Sequence, residues 1–205
     1  MSDVQIFDCA QNSSEWLEAR RGIPTASRFA DILAKGQGIT RRKYLYTLAG
    51  EVLTGEVQPA FTTEAMERGH AMEADAVNLY AFERDVEPVV CGFMRSGRAG
   101  CSPDRLLGRD GLVEVKSKLP HLQLEVLERG ALPPEHKAQV QGQLWVSGRA
   151  WCDFISYWPR LPLFVTRVER DEPYIESLAQ AVADFVNELD ALVKKYAPQE
   201  LEKAA

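Results

Sequence analysis

Seven residues, Gly111-Leu-Val-Glu-Val-Lys-Ser117, constrain the fold of this chain most. Side chains alternate along a β-strand, so Glu114 and Lys116 leave one face while Val113 and Val115 point to the other. A carboxylate and an ammonium then share one surface. Upstream, Asp104 follows the β-like run Arg98-Ala-Gly-Cys-Ser102, and Arg109-Asp110-Gly111 has the composition of a turn. The spacing predicts a hairpin between that run and 112–117 that brings Asp104 beside Glu114. Two acidic oxygen donors on adjacent strands can hold Mg²⁺, and a lysine next to them can orient or deprotonate a water. Taken alone, the pattern has another explanation: Asp104 as a turn residue, with Glu114 and Lys116 as an ion pair on an exposed strand.

The rest of the chain supplies the setting. Asn12-Ser-Ser14 can cap a helix over Glu15–Arg21 that Gly22 and Pro24 stop, and Thr25-Ala-Ser27 opens a second with Phe29, Ile32 and Leu33 on one side. Gly36-Gln-Gly38 is a joint, and further helices are expected over about 41–53 and 62–84, the longer one carrying apolar Met66, Met72, Ala76, Leu79, Tyr80 and Phe82. From Pro88 the period shortens. Val89–Arg95, Arg98–Ser102 and Leu112–Ser117 read as a β-meander, followed by a helix from Pro120 or His121 to about Glu128 that Gly130 ends. Pro133-Pro134 starts another helix, which carries Ala138-Gln-Val-Gln-Gly-Gln-Leu-Trp145. Trp151–Trp158 and Phe164–Val168 read as strands and Glu172–Tyr196 as an amphipathic closing helix. This order predicts an α/β fold, one sheet flanked by helices, with a helical N-terminal part.

The 205 residues are most simply one domain, 1–205, with no linker long enough to divide them. No apolar run approaches the roughly 18 residues of a bilayer span, and Met1–Asp8 lacks the basic start and apolar stretch of a signal peptide. Cys9, Cys91, Cys101 and Cys152 show no CxxC spacing and read as free thiols of a reducing cytoplasm. The net charge of −6 is ill suited to nucleic acid, but it is unevenly placed. Residues 20–43 hold seven basic groups against Asp31, whereas 169–205 hold nine acids against four basic groups. One surface can attract phosphates while another repels them, unless both are merely solvated helix faces.

On its motifs the chain resembles the phage lambda exonuclease and YqaJ-type viral recombinase family, within the PD-(D/E)XK nuclease superfamily. Ser102-Pro103-Asp104 and Glu114-Val115-Lys116 match the superfamily signature. Arg20 through Thr25-Ala-Ser27, Arg68-Gly69 with Glu73, and Gln139-Val-Gln141 with Trp145 match motifs particular to the family. A bare Pro-Asp…Glu-X-Lys arises often by chance; these motifs in this order are far more specific.

The resemblance implies a restriction-endonuclease-like core with a central mixed β-sheet. It implies that Asp104, Glu114 and the Val115 carbonyl ligate Mg²⁺ (or Mn²⁺), that Glu73 is an acid beside two such ions, and that Lys116 positions the attacking water. Arg20, Ser27, Ser102 and Gln139 would enclose a 5′-terminal phosphate, for which a guanidinium fork, hydroxyls and an amide are suited donors. Met66 matches a strand-separating wedge, and Arg41 and Arg42 are candidates for a DNA-backbone contact. The implied activity is 5′→3′ digestion of one strand of linear double-stranded DNA to mononucleotides. A ring-shaped trimer, a single-strand annealing partner and a phage or prophage origin follow by the same resemblance. The rivals are a restriction- or repair-like endonuclease with the same Asp104, Glu114 and Lys116, and a non-catalytic DNA-end-binding protein.

Overall fold

A computed structural model describes residues 3–34, 38–57 and 64–197, without the side chains of 64–67 and 70. The chain opens with β1 (Val4–Phe7), then α1 (Ser14–Arg20), a 3₁₀ turn at Ala26–Arg28, α2 (Phe29–Leu33), α3 (Ile39–Thr54) and α4 (Glu64–Arg84). Five strands follow: β2 (Val89–Val90), β3 (Phe93–Ser96), β4 (Ala99–Cys101), β5 (Arg105–Leu107) and β6 (Gly111–Ser117). After α5 (Pro120–Arg129) and α6 (Lys137–Ser147) come β7 (Trp151–Tyr157), β8 (Phe164–Glu169) and α7 (Glu172–Tyr196). The helix starts obey local chemistry. Ser13 caps α1 by accepting from Trp16 N–H at 3.2 Å, and Asp171 caps α7 through Tyr174 N–H. Gly130 and Gly148 end α5 and α6 in the left-handed conformation.

The fold class is α/β, as expected, but two sheets replace the expected one. The larger is mixed, in the order β2-β5-β6-β7-β8, with β6 and β7 parallel and the other pairs antiparallel. The smaller joins β1, β3 and β4. The expected meander therefore fails at Pro103. The run Arg98–Ser102 pairs with β3, and the hairpin partner of β6 is β5, through Arg105↔Val113, Leu106↔Leu112 and Leu107↔Gly111. Proline lacks an N–H for a ladder, so pairing breaks there and the chain passes from one sheet to the other.

Alternation along β6 then divides two packing layers. Val113 and Val115 meet Ala76, Val77 and Tyr80 of α4, while Leu112 packs with Val126 of α5 and Val140 and Leu144 of α6. A fully buried aliphatic side chain contributes about 1.5–3 kcal/mol, so a one-residue register slip, which would exchange these faces, is strongly disfavoured. Helix α6 lies especially close to the N-terminal part: a Cβ on Gly142 would come within 2.4 Å of the Phe29 ring. That approach sets the depth of α6, and with it the two side chains that reach Glu114. Helix α7 buries Leu178, Val182, Phe185 and Leu189 against α2 and α3. Among the described residues, no helix is long and apolar enough to cross a membrane.

Candidate active site

Asp104 stands just before β5, one step beyond the last rung of the β5–β6 hairpin. Its Oδ2 accepts from the Val115 N–H at 2.6 Å, which ties the aspartate to the strand that carries Glu114 and Lys116. N–H and C=O of one residue leave a strand on the same edge, so the Val115 carbonyl also faces this edge. Glu114 is buried to 1% exposure. Its Oε1 receives Lys116 Nζ at 2.6 Å and Gln139 Nε2 at 2.5 Å, and its Oε2 receives Gln143 Nε2 at 2.6 Å. Burial, and then the neighbouring Glu114, push the Asp104 carboxyl well above the usual aspartate range. Burial works against the Lys116 ammonium, yet Glu114 and Asp104 outweigh it and hold its pKa above the ordinary value. Lys116 is therefore charged at neutral pH, and it faces the carboxylates as an electrostatic partner.

Glu73 of α4 is bound by Arg105, whose Nη1 donates to its Oε1 at 2.7 Å and to the Asp104 carbonyl at 2.5 Å. Arg105 thus links the helix acid to the aspartate's own backbone. Asp104, Glu114 and the Val115 carbonyl are oxygen donors of the kind a hard divalent cation takes. The raised Asp104 pKa fits too, because two buried acids side by side repel until a cation relieves them. Glu73 is turned to Arg105, and among the described residues no group of three or more His, Cys, Asp or Glu side chains converges.

A second constellation adjoins the first through Ser102. The Trp16 indole donates from Nε1 to Ser102 Oγ at 2.9 Å, and the Arg20 guanidinium lies over the same indole, 3.7 Å from its centroid. Trp16 and Arg20 are one turn apart on α1, the spacing that stacks side chains. Arg20 also donates to Thr25 Oγ1 at 3.5 Å, and that hydroxyl lies 3.3 Å from Ser27 Oγ. Thr25 bridges in parallel to Gly100, and Gly100 N–H donates to the Pro24 carbonyl, fastening this segment to β4 just ahead of Ser102. Burial draws the Arg20 pKa down to about 10, so the guanidinium stays charged in a poorly hydrated place.

Arg20, Ser27 and Ser102 are thus connected through Trp16 and Thr25, whereas Gln139 joins from the other side, on Glu114. Arg41 pairs with Glu188 of α7 at 2.7 and 2.8 Å, while Arg42 is exposed. The side chain of Met66 lies outside the described residues. Neither the strand alternation nor the motifs point to Trp16, Arg105 or Gln143. For Trp16 and Gln143 a signal exists: each stands four positions from a site residue on the same helix, Arg20 and Gln139 respectively. Arg105 carries no such signal, since its partner Glu73 is remote in sequence. The basic segment 20–43 is also less bare than its count suggests, because Arg21 pairs with Glu18, Arg28 with Asp31 and Arg41 with Glu188.

Residues 15–150 match the family model of the YqaJ-like viral recombinase domain. Among solved structures the chain is similar to LHK-Exo, an alkaline exonuclease from Laribacter hongkongensis, at 35% identity over 89% of this chain and 95% of that one, with a TM-score of 0.82. The complex of LHK-Exo with dAMP gives a TM-score of 0.83 at the same identity and coverage. A phage related exonuclease from Haemophilus somnus 129PT shares the fold at a TM-score of 0.63 and 14% identity, over 84% of this chain and 96% of that one. No curated protein matches.

Proposed function

The chain belongs to the YqaJ-like viral recombinase family and is a nuclease, and on that premise we propose that it is a Mg²⁺-dependent 5′→3′ exonuclease of linear double-stranded DNA. The observation that carries this reading is the continuity of the two constellations through Ser102-Pro103-Asp104. Ser102 is held at 2.9 Å by the tryptophan on which Arg20 stacks, and two residues later Asp104 is bound to the strand of Glu114 and Lys116. A site that grips a terminal phosphate there would set the scissile bond a short distance from the carboxylates.

Asp104, Glu114 and the Val115 carbonyl would hold the metal, with Glu73 released from Arg105 to serve a second ion. A bound divalent cation supplies Lewis-acid polarisation of the phosphoryl oxygens and lowers the pKa of a bound water. The protein's own residues do the rest. Lys116 orients the attacking water and offsets charge on the phosphorane-like transition state. Arg20, with Ser27, Ser102 and Gln139, donates to the 5′-terminal phosphate and selects ends that carry one. Water is the nucleophile, so no covalent enzyme intermediate forms and no ATP is consumed. The product would be a 5′-mononucleotide, a reading supported by the dAMP complex of LHK-Exo. A 3′ single strand would remain for an annealing partner. In this reading the enzyme acts in a host cytoplasm as a phage or prophage product and encloses DNA as a ring-shaped trimer.

Digestion of linear 5′-phosphorylated, linear 5′-hydroxyl and closed circular DNA, each with Mg²⁺ and with a chelator, tests the proposal. The expected order of rates is phosphorylated end, then hydroxyl end, with the circle and all chelated samples uncut. Cleavage of the circle at the rate of the linear substrates would replace the exonuclease with an endonuclease of the same superfamily.

A further inference from the structure

Glu114 is gripped by one face of one helix. Gln139 and Gln143 are four residues apart on α6, and their amides donate to Oε1 and Oε2 respectively, whereas Gln141 points away and clasps the Glu169 carbonyl and the Asp171 N–H. The two carboxylate oxygens are unequally supplied. Oε1 has two donors, Gln139 and Lys116, and Oε2 has Gln143. Gln143 is also the deeper of the pair, at 1% exposure, while Gln139 is half-buried.

The Oε1 atom of Gln143 is buried with no hydrogen-bond partner among the described residues. Buried acceptors are nearly always satisfied, and an apolar side chain of similar length would fill this space without leaving one orphaned. An amide retained here at a cost in stability is explained by what its Nε2 does.

We propose that Gln143 is the positioning residue of Glu114. It fixes the plane of the carboxylate from the buried side, which leaves Gln139 able to exchange between Oε1 and the terminal phosphate while Lys116 keeps that oxygen supplied. Gln143 itself touches neither DNA nor the reacting atoms. The inference rests on the reading of Glu114 as a metal ligand in an end-recognising nuclease.

The test combines calorimetric titration of the protein with Mn²⁺ and steady-state kinetics on 5′-phosphorylated and 5′-hydroxyl ends, for wild type, Gln143→Leu, Gln143→Asn and Gln139→Leu. Outer-shell partners of metal ligands typically change metal affinity or activity 10- to 100-fold, so Gln143→Leu should weaken Mn²⁺ binding and lower kcat by about tenfold. Its KM and its preference for phosphorylated ends should match wild type. Gln139→Leu should instead lose that preference. Gln143→Asn keeps an amide but falls one methylene short, and should show the same kcat and Mn²⁺ losses; it carries the test if the leucine variant fails to fold. A folded Gln143 variant with Mn²⁺ affinity and kcat within about twofold of wild type would overturn the positioning role. Absence of Mn²⁺ binding by the wild type would instead remove the metal reading on which the inference stands.

Discussion

Trp16 offers the sharpest test of the link between end recognition and catalysis, because it makes two separable contacts. Its ring supports the Arg20 guanidinium at 3.7 Å, and its Nε1 holds Ser102 at 2.9 Å. Trp16→Phe keeps a ring under Arg20 and removes the donor to Ser102; Trp16→Leu removes both. A neutral hydrogen bond contributes about 0.5–1.5 kcal/mol, so the phenylalanine variant should lose about 2- to 12-fold in kcat/KM on 5′-phosphorylated ends. A desolvated cation–π contact contributes about 2 kcal/mol, so the leucine variant, which loses both contacts, should fall by about 70- to 400-fold. Arg20→Ala, which removes a donor to a charged group worth about 1.5–3 kcal/mol, should lose about 10- to 160-fold. In all three, the rate on 5′-hydroxyl ends should barely change, because the lost contacts serve only the phosphate. The assay is release of acid-soluble nucleotide from duplexes that differ only in the 5′ group, with thermal melts to show that each variant is folded. Equal losses on both ends would refute the argument, since they would place Trp16 and Arg20 in general scaffolding rather than in the phosphate grip.

Lys116→Ala should abolish hydrolysis while DNA binding, measured by fluorescence anisotropy with Ca²⁺, stays near wild type; retained hydrolysis would remove Lys116 from the chemistry. His136 gives a pH prediction: burial, with Lys118 and Lys116 adding to it, lowers its pKa to about 4 from 6.5. Because the folded-state value is the depressed one, the stability it confers is present above about pH 6.5 and lost as pH falls towards 4. Between about pH 7 and pH 5 this group should account for roughly 1–2 kcal/mol of lost stability, and His136→Phe should flatten urea-melt stability over that window by the same amount. An unchanged slope would show that the imidazole titrates normally. Arg42→Ala should reduce the salt slope of DNA binding by about 1, whereas Arg41→Ala should leave it nearly unchanged, because Glu188 already neutralises Arg41.

Much of the fold was legible because its signals are local. Period-two alternation placed Glu114 and Lys116 on one face of β6, and the same alternation explains why Val113 and Val115 pack on α4. The long amphipathic α7 and the glycine stop of α5 were equally plain. The strands β1 and β5 were not, since four and three residues are too short to show a period and their identity comes from their partners β3 and β6. The site follows the same division. The members of each motif could be named, but which carboxylate each amide would reach could not. Gln139 and Glu114 are 25 residues apart and Arg105 and Glu73 are 32 apart, so those contacts depend on the depth of α6 and the placement of α4 over the sheet.

The charge pattern takes on a different meaning once the elements are placed. By sequence, the basic stretch 20–43 and the acidic stretch 169–205 could have formed opposite surfaces, one attracting DNA and the other repelling it. In the structure they meet. Helix α7 packs on α3, Glu188 pairs with Arg41, and Asp190 pairs with Arg98 of the β3–β4 turn. Exposed pairs of this kind contribute about 0–1 kcal/mol each, so they do little for stability, but they cancel much of the field that the sequence count implies. Beside exposed groups such as Arg42, two charges are specially placed to act on a phosphate: Arg20, held half-buried on an indole, and Lys116, held beside two carboxylates. Their influence is strong at close range because the surroundings exclude water, and weak at a distance because the net charge is −6. On the proposed function, this arrangement favours a single phosphate brought between Arg20 and Lys116 over the continuous backbone of an intact duplex.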